Sequence, residues 1–132
     1  MATKIVCDNG HRDYSGCRKA AREISQNGVL KPCHRCGKDR RYIVTHDYPY
    51  DKMTVDYEVL KVCALRSPSQ AEKEGWDPMV FLMKNRKSGE KTIWPYYWTK
   101  DRNGKWANGQ FPPLLSIEEL KKVIKHFEED SE

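Results

Sequence analysis

Cys33 and Cys36 stand two residues apart, Gly37 follows them, and Cys63 comes one supersecondary unit later. Two thiolates at this spacing reach a single tetrahedral ion, and a glycine behind the second lets the chain turn tightly beneath it. The chemistry on offer is metal binding through sulfur, with zinc in a structural role as the expected ion. A further ligand is wanted three residues beyond Cys63, and that position is Arg66. Cys7, His11, Cys17 and His46 are the residues left to supply it. The N-terminal cluster of Cys7, His11 and Cys17 is the more attractive donor, since residues 1–17 otherwise have little reason to hold three potential ligands. The plainer alternative is that these cysteines line a small core, the commonest fate of a free thiol.

The elements that must position these groups read as follows. Lys4 to Cys7 suits a short strand, and Asp8 to Gly10 a turn. Cys17, Ala20, Ala21 and Ile24 make one apolar face, which predicts a helix over 17–27 capped by Ser15 and ended by Gly28. Arg18, Lys19 and Arg22 fall on its other face. Pro32 leads into the knuckle. Arg41 to Thr45 and Val55 to Cys63 read as two antiparallel strands, with His46 to Thr54 as the loop between them. The polar run from Arg66 to Asp77 divides the chain into units 1–66 and 67–132, with a short helix before Gly75. Beyond it come strands at Met79 to Met83 and Lys91 to Thr99, the second placed at an edge or bulged by Pro95. Asp101 to Gly104 is a hairpin turn. Pro112 and Pro113 make a rigid connector. Ser116 and Glu119 form a capping box before a helix striped by Ile117, Leu120, Val123, Ile124 and Phe127. The expected fold class is α+β: an N-terminal helix with a zinc-knuckle β-hairpin, then a small antiparallel sheet closed by a C-terminal helix.

Composition sets the energetic frame. In 132 residues only 38% are hydrophobic while 33% are charged, so any core is thin. Units below roughly 80 residues generally need a metal, disulfides or a partner. No apolar run of signal-peptide or membrane-spanning length occurs, so a cytoplasmic location and no membrane partner are expected. In such a compartment Cys-x-x-Cys holds metal more often than a disulfide. The net charge of +5 is uneven. Arg18 to Arg41 holds eight Lys/Arg against two acids, Lys84 to Lys105 seven against two, and the last stretch is acidic. Two basic patches point to a polyanionic partner; the alternative is a merely well-solvated surface.

The order of motifs from Cys17 to Cys63 resembles the small HNH endonucleases of bacteriophages and other mobile elements. The matching residues are Arg18 to Ala20, Gly28 to Leu30, Pro32, Cys33, Cys36 and Gly37, then Tyr42 to His46, Tyr50, Lys52, and Val59 to Cys63. They span about a third of the chain. The resemblance implies a ββα-metal core in which His46 activates the water that attacks a phosphodiester. It also implies an ion ligand just before that histidine, where this chain has Thr45, and further His or Cys after Cys63, where it has Ala64 to Ser67. Phosphodiester cleavage needs an ion to stabilise the developing charge as well as a base. The scaffold therefore reads as catalytically degenerate. Mg²⁺ or Mn²⁺ would be a cofactor only if cleavage is retained, through His46, Asp47 and Asp51.

In the second stretch Trp94, Tyr96, Tyr97, Trp98 and Trp106 interleave with Lys91, Lys100, Arg102 and Lys105. Aromatic faces stack unpaired bases and cations follow the backbone. The order of strand, Asp-x-x-Gly hairpin and Leu115–Leu120 helix start resembles a transcriptional-coactivator family that binds single-stranded DNA; the alternative is that these rings build a core. Three functions follow. The first is non-enzymatic binding of nucleic acid, DNA foremost, through Arg18, Lys19, Arg22, Arg40, Arg41, Lys91, Trp98, Lys100, Arg102 and Lys105. The second is a phage-type inhibitor that binds a host protein in the host cytoplasm. The third is an active metal-dependent endonuclease.

Overall fold

The computed structural model describes residues 2–48, 50, 52–109 and 115–128. Asp51 and the Pro112–Pro113 connector lie outside these residues. Seven strands, β1 (Ala2–Cys7), β2 (Arg12–Asp13), β3 (Arg40–Tyr48), β4 (Met53–Ala64), β5 (Trp76–Asn85), β6 (Lys91–Lys100) and β7 (Trp106–Asn108), alternate with helices α1 (Cys17–Asn27), α2 (Pro68–Glu74) and α3 (Ile117–Glu128). The strands hydrogen-bond in the order β2-β1-β3-β4-β5-β6-β7. The pairings β1–β2, β1–β3, β3–β4 and β6–β7 are antiparallel.

This overturns the expected helix-plus-hairpin module followed by a separate small sheet. Two causes are visible. Ala2–Cys7 is not a stub but pairs residue for residue with β3, from Ala2 opposite Thr45 to Cys7 opposite Arg40. And β3 runs on through His46, Asp47 and Tyr48, opposite Val55, Thr54 and Met53. Val44, His46 and Tyr48 continue the strand's alternation, and β-branched and aromatic residues suit a half-buried pleated surface. What looked like a loop is ladder.

Contacts divide the chain into two compact units, each drawing on two stretches: Met1–Val62 with Leu82–Thr92, and Cys63–Phe81 with Ile93–Glu132. The first unit packs α1 on β1 and β3. Cys17, Ala20, Ala21 and Ile24 are its buried face, as 3.6-residue spacing demands. Ser15 does not cap the helix; its hydroxyl and its N–H both bond the Asp13 carboxylate at 2.9 Å, and Gly16 holds the N-cap position. Arg22, expected on the outer face, is buried. The second unit has a core of Cys63, Leu65, Val80 and Val123, with Leu115 and Phe127 against it.

Arg66, the residue standing where a metal ligand is wanted, works as a fastener in this second unit. Its guanidinium lies 3.5 Å from Glu74 of α2 and 3.4 Å from Glu119 of α3, and over the Trp76 ring at 4.9 Å. The capping box closes as read: Glu119 N–H donates to Ser116 Oγ and Ser116 N–H to Glu119 Oε1, both at 3.1 Å.

The backbone N–H of Ser116 above all, helped by its hydroxyl and by Arg66, holds the Glu119 carboxyl below the usual glutamate range against the opposing effect of burial. Because the folded value is depressed, this contribution is present above the unfolded value and lost as pH falls through the lowered one. Ser116→Ala is expected to cost about 1 kcal/mol in urea unfolding at neutral pH, and Glu119→Gln to lessen the loss of stability on acidification. Equal acid sensitivity in the Glu119→Gln variant would show that this carboxylate does not contribute.

Candidate metal centre

Two tight turns meet in the first unit. One leaves β1: Gly10 N–H donates to Cys7 O at 2.9 Å and Cys7 N–H to His11 O at 3.0 Å. The other precedes β3: Gly37 N–H donates to Cys33 O at 2.7 Å and Cys33 N–H to Lys38 O at 2.8 Å. Gly10 and Gly37 have φ of 83° and 71°, the left-handed conformation that glycine adopts without a Cβ penalty. Asp8 N–H donates to Asp39 O at 3.0 Å and ties the turns together.

Side by side, the turns gather Cys7, His11, Cys33 and Cys36, whose ligand atoms all lie within 4.8 Å of one another. Cys7 Sγ is 3.4 Å from His11 Nδ1 and 3.7 Å from Cys36 Sγ, and Cys33 Sγ is 3.6 Å from His11 Nδ1. All five cysteines of the chain are free thiols. Cys7 and Cys33 are buried while His11 and Cys36 are half-buried. The group can hold a metal ion.

Its thiols are not alike. The backbone N–H of Arg35, first among several donors, brings Cys33 down to about 6. Cys36 is drawn down by the N–H of Lys38, yet burial and the neighbouring Cys7 and Cys33 sulfurs together leave it raised. Crowding of thiolates is the state that a bound cation relieves, since metal ligation takes the deprotonated sulfur.

The other sulfur ligands expected from spacing are elsewhere. Cys17 is buried beside Thr3, whose hydroxyl donates to its Sγ at 3.3 Å, and Cys63 belongs to the apolar core of the second unit. Burial raises both thiols above their ordinary value. These are core cysteines, the outcome that their apolar neighbours dictate.

His46 lies within β3, edge-on to Tyr48 at 4.3 Å, with a buried Nδ1 that meets no hydrogen-bond partner. Asp47 is exposed, and as the next residue of a strand it faces the opposite side. Thr45 Oγ1 donates to Asp56 at 2.7 Å. Tyr48 and Tyr57 hydroxyls bond each other at 3.0 Å, and Tyr57 is pushed up to about 12 by that bond. Among the described residues, His46 is in no group of three or more metal-ligating side chains. A histidine and an aspartate on opposite faces cannot share one ion.

Several expected nucleic-acid contacts are otherwise engaged. Arg41 is bound by Asp8 and, at 2.8 Å, by Glu58. Lys100 pairs with Glu72 and lies 5.3 Å over the Trp106 ring. Trp98 is only 4% exposed and packs among Phe81 and Tyr96, so it has no open face for a base. The alternate residues Trp94, Tyr96 and Trp98 form one aromatic row on β6. Arg18 is half-buried and Arg40 bonds Lys31 O at 2.7 Å, while Lys19, Lys91, Arg102 and Lys105 are exposed. Side chains missed from the sequence, Arg12, His34 and Arg35, stand at the metal group itself beside the expected Arg40. Arg12, His34, Arg35 and Arg40 line a hollow of about 240 Å³ together with His11 and Cys33. The signal for them was adjacency: Arg12 follows His11, and His34 and Arg35 fill the Cys-x-x-Cys.

Compared with family models, with curated proteins and with solved structures, the chain matches none. No described helix is long and apolar enough to cross a membrane.

If the four residues are one site, the purified chain loaded with a divalent metal should bind one ion per chain. Cys7→Ser or Cys36→Ser should lower retention through gel filtration at least tenfold, and Cys63→Ala should leave it unchanged. Elemental analysis reads the outcome directly. Loss on Cys63→Ala alone would refute the assignment.

Proposed function

We propose that the chain is a zinc-structured nucleic-acid-binding protein whose contact surface is the basic skin of its metal-bearing unit. The observation that carries this reading is the spacing of the four donors. Zn–S and Zn–N bonds of about 2.3 and 2.0–2.1 Å at tetrahedral angles place sulfurs about 3.8 Å apart and sulfur about 3.6 Å from nitrogen. The contacts of 3.7 Å between sulfurs and of 3.4 and 3.6 Å to His11 have these lengths. A set of three thiolates and one imidazole, closed on all four sides, suits structural zinc.

Nucleic acid is supported by the charge around that centre. Arg12, Lys19, Lys31, Arg35 and Lys38 are exposed in the same unit, whereas the aromatic row of β6 is largely taken up by packing. Cations of this density bind a phosphate backbone chiefly by releasing its counterions. In this reading the resemblance to small HNH endonucleases marks a shared handling of nucleic acid, not a shared reaction. On a single strand, four phosphate contacts would weaken binding about fifty-fold between 50 and 200 mM salt. Lys19→Gln with Lys38→Gln should weaken it further, and chelation should abolish it. Supercoiled plasmid with Mg²⁺ or Mn²⁺ should stay intact. Salt-independent binding, or nicking lost on His46→Ala, would overturn the reading.

One observation favours a protein partner instead. On α3, Ile117, Leu120 and Ile124 are 73, 44 and 42% exposed, an apolar stripe of the kind that marks contact surfaces. Under this second reading, nuclease-treated host extract should yield a stoichiometric partner that Ile117→Ser with Leu120→Ser fails to capture. Capture unchanged by those substitutions would remove it.

A further inference from the structure

Accepting the nucleic-acid reading, the hollow against the metal centre has a more specific use than general charge. Arg12, Arg35 and Arg40 line it, together with His34 and with His11 and Cys33 of the metal group. Arg12 leaves the Cys7–His11 turn and Arg35 lies inside the Cys33–Cys36 turn, so an ion joining the turns would also fix the separation of the backbones that carry these two arginines. Arg40 begins β3, and its Nε is held by Lys31 O at 2.7 Å, which fixes the direction of its fork.

Two negative charges oppose the arginines. Asp13 also lines the hollow, its Oδ1 occupied by the N–H and hydroxyl of Ser15. A zinc ion with three thiolates leaves the centre one unit negative. Three guanidinium groups outweigh both, and arginine forks match the paired oxygens of a phosphate.

We propose that this hollow is a subsite for a terminal phosphomonoester of a nucleic-acid strand. The arrangement of the cations favours a chain end over the interior of the strand. A phosphodiester backbone needs a groove open at both ends, with cations spread along it. Here arginines from three separate segments line one hollow of about 240 Å³ instead of following one another along a strand or helix, which suits a single group. A phosphomonoester also carries nearly twice the charge of a diester at neutral pH and presents three acceptor oxygens. The strand's remaining phosphates then run over the exposed lysines of the same unit.

The test is fluorescence anisotropy with the zinc-loaded full chain and one internally labelled single strand. Four forms are compared: 5′-phosphorylated, 3′-phosphorylated, hydroxyl at both ends, and circular. One phosphorylated form is expected to bind about tenfold tighter than the hydroxyl-ended one, as two charge-assisted bonds to an ionised group imply. Circular and hydroxyl-ended strands should match. Arg35→Gln and Arg12→Gln should each shrink the gap below threefold without altering metal content, which reports that the turns remain formed. If every form that binds does so equally, the end subsite is wrong and the nucleic-acid reading stands. A phosphate preference that survives both substitutions also overturns it, by placing the preference outside this hollow. If no form binds, both readings fall together.

Discussion

The register between β1 and β3 is the constraint on which the metal group depends. Cys7 lies opposite Arg40, at the mouth of β3, and the chain on either side turns back through Gly10 and Gly37. A slip of one residue would point Cys7 to the other face of the sheet and leave His11, Cys33 and Cys36 with an incomplete set. Ile5, opposite Tyr42, helps hold the register, because a one-residue slip would carry its buried side chain to the half-buried face that Lys4 and Val6 take. Sheet packing and metal chemistry are therefore one problem here, solved by a single pairing. α1 packs on this pairing with four buried apolar residues, Cys17, Ala20, Ala21 and Ile24, and the thin core it makes is what the low apolar content allows.

Charge is put to two uses that composition does not separate. Arg41 is held by Asp8 and Glu58, and Arg66 spans Glu74 and Glu119 while stacking on Trp76. Both serve the fold. Arg12 and Arg35 have the same chemistry and sit beside and within the two turns of the metal group, where folding has no evident call on them. The difference lies in which carboxylates the strand pairings bring within reach, and that is a tertiary fact.

Local features were legible in the sequence where their cause is local. The α1 face, the short helix before Gly75, the hairpin turn at Asp101 and the Ser116–Glu119 box all follow from propensity, capping and periodicity. Half of the metal group was legible in the same way, since Cys33 and Cys36 need only their own turn. Cys7 and His11 could be named as donors but not preferred over Cys17 or Cys63. That choice is made by a β pairing that closes over more than thirty residues. Cys63 misled because its distance from Cys36 suits a knuckle, while its neighbours Val62 and Leu65 are core residues and draw it into apolar packing. The aromatic run on β6 misled for a related reason: alternate residues of a strand share a face, and that face is packed. The helix-plus-hairpin fold class failed at Ala2–Cys7, whose six residues read as a marginal strand in isolation and become a full one only against β3.

The position of the four ligands along the chain carries a consequence for assembly. Cys7 and Cys36 are 29 residues apart, and all four ligands precede Arg40, where β3 begins. Loop closure over so short a span costs little conformational entropy compared with joining distant strands. An ion captured there draws the two turns together before β4 to β7 have found their places. It would thereby bring the β1–β3 pairing of the first unit closer to a local event, and topologies with local contacts form fastest. A bound ion would thus bear on the order of assembly as well as on stability, favouring this contact first and the rest of the sheet after it.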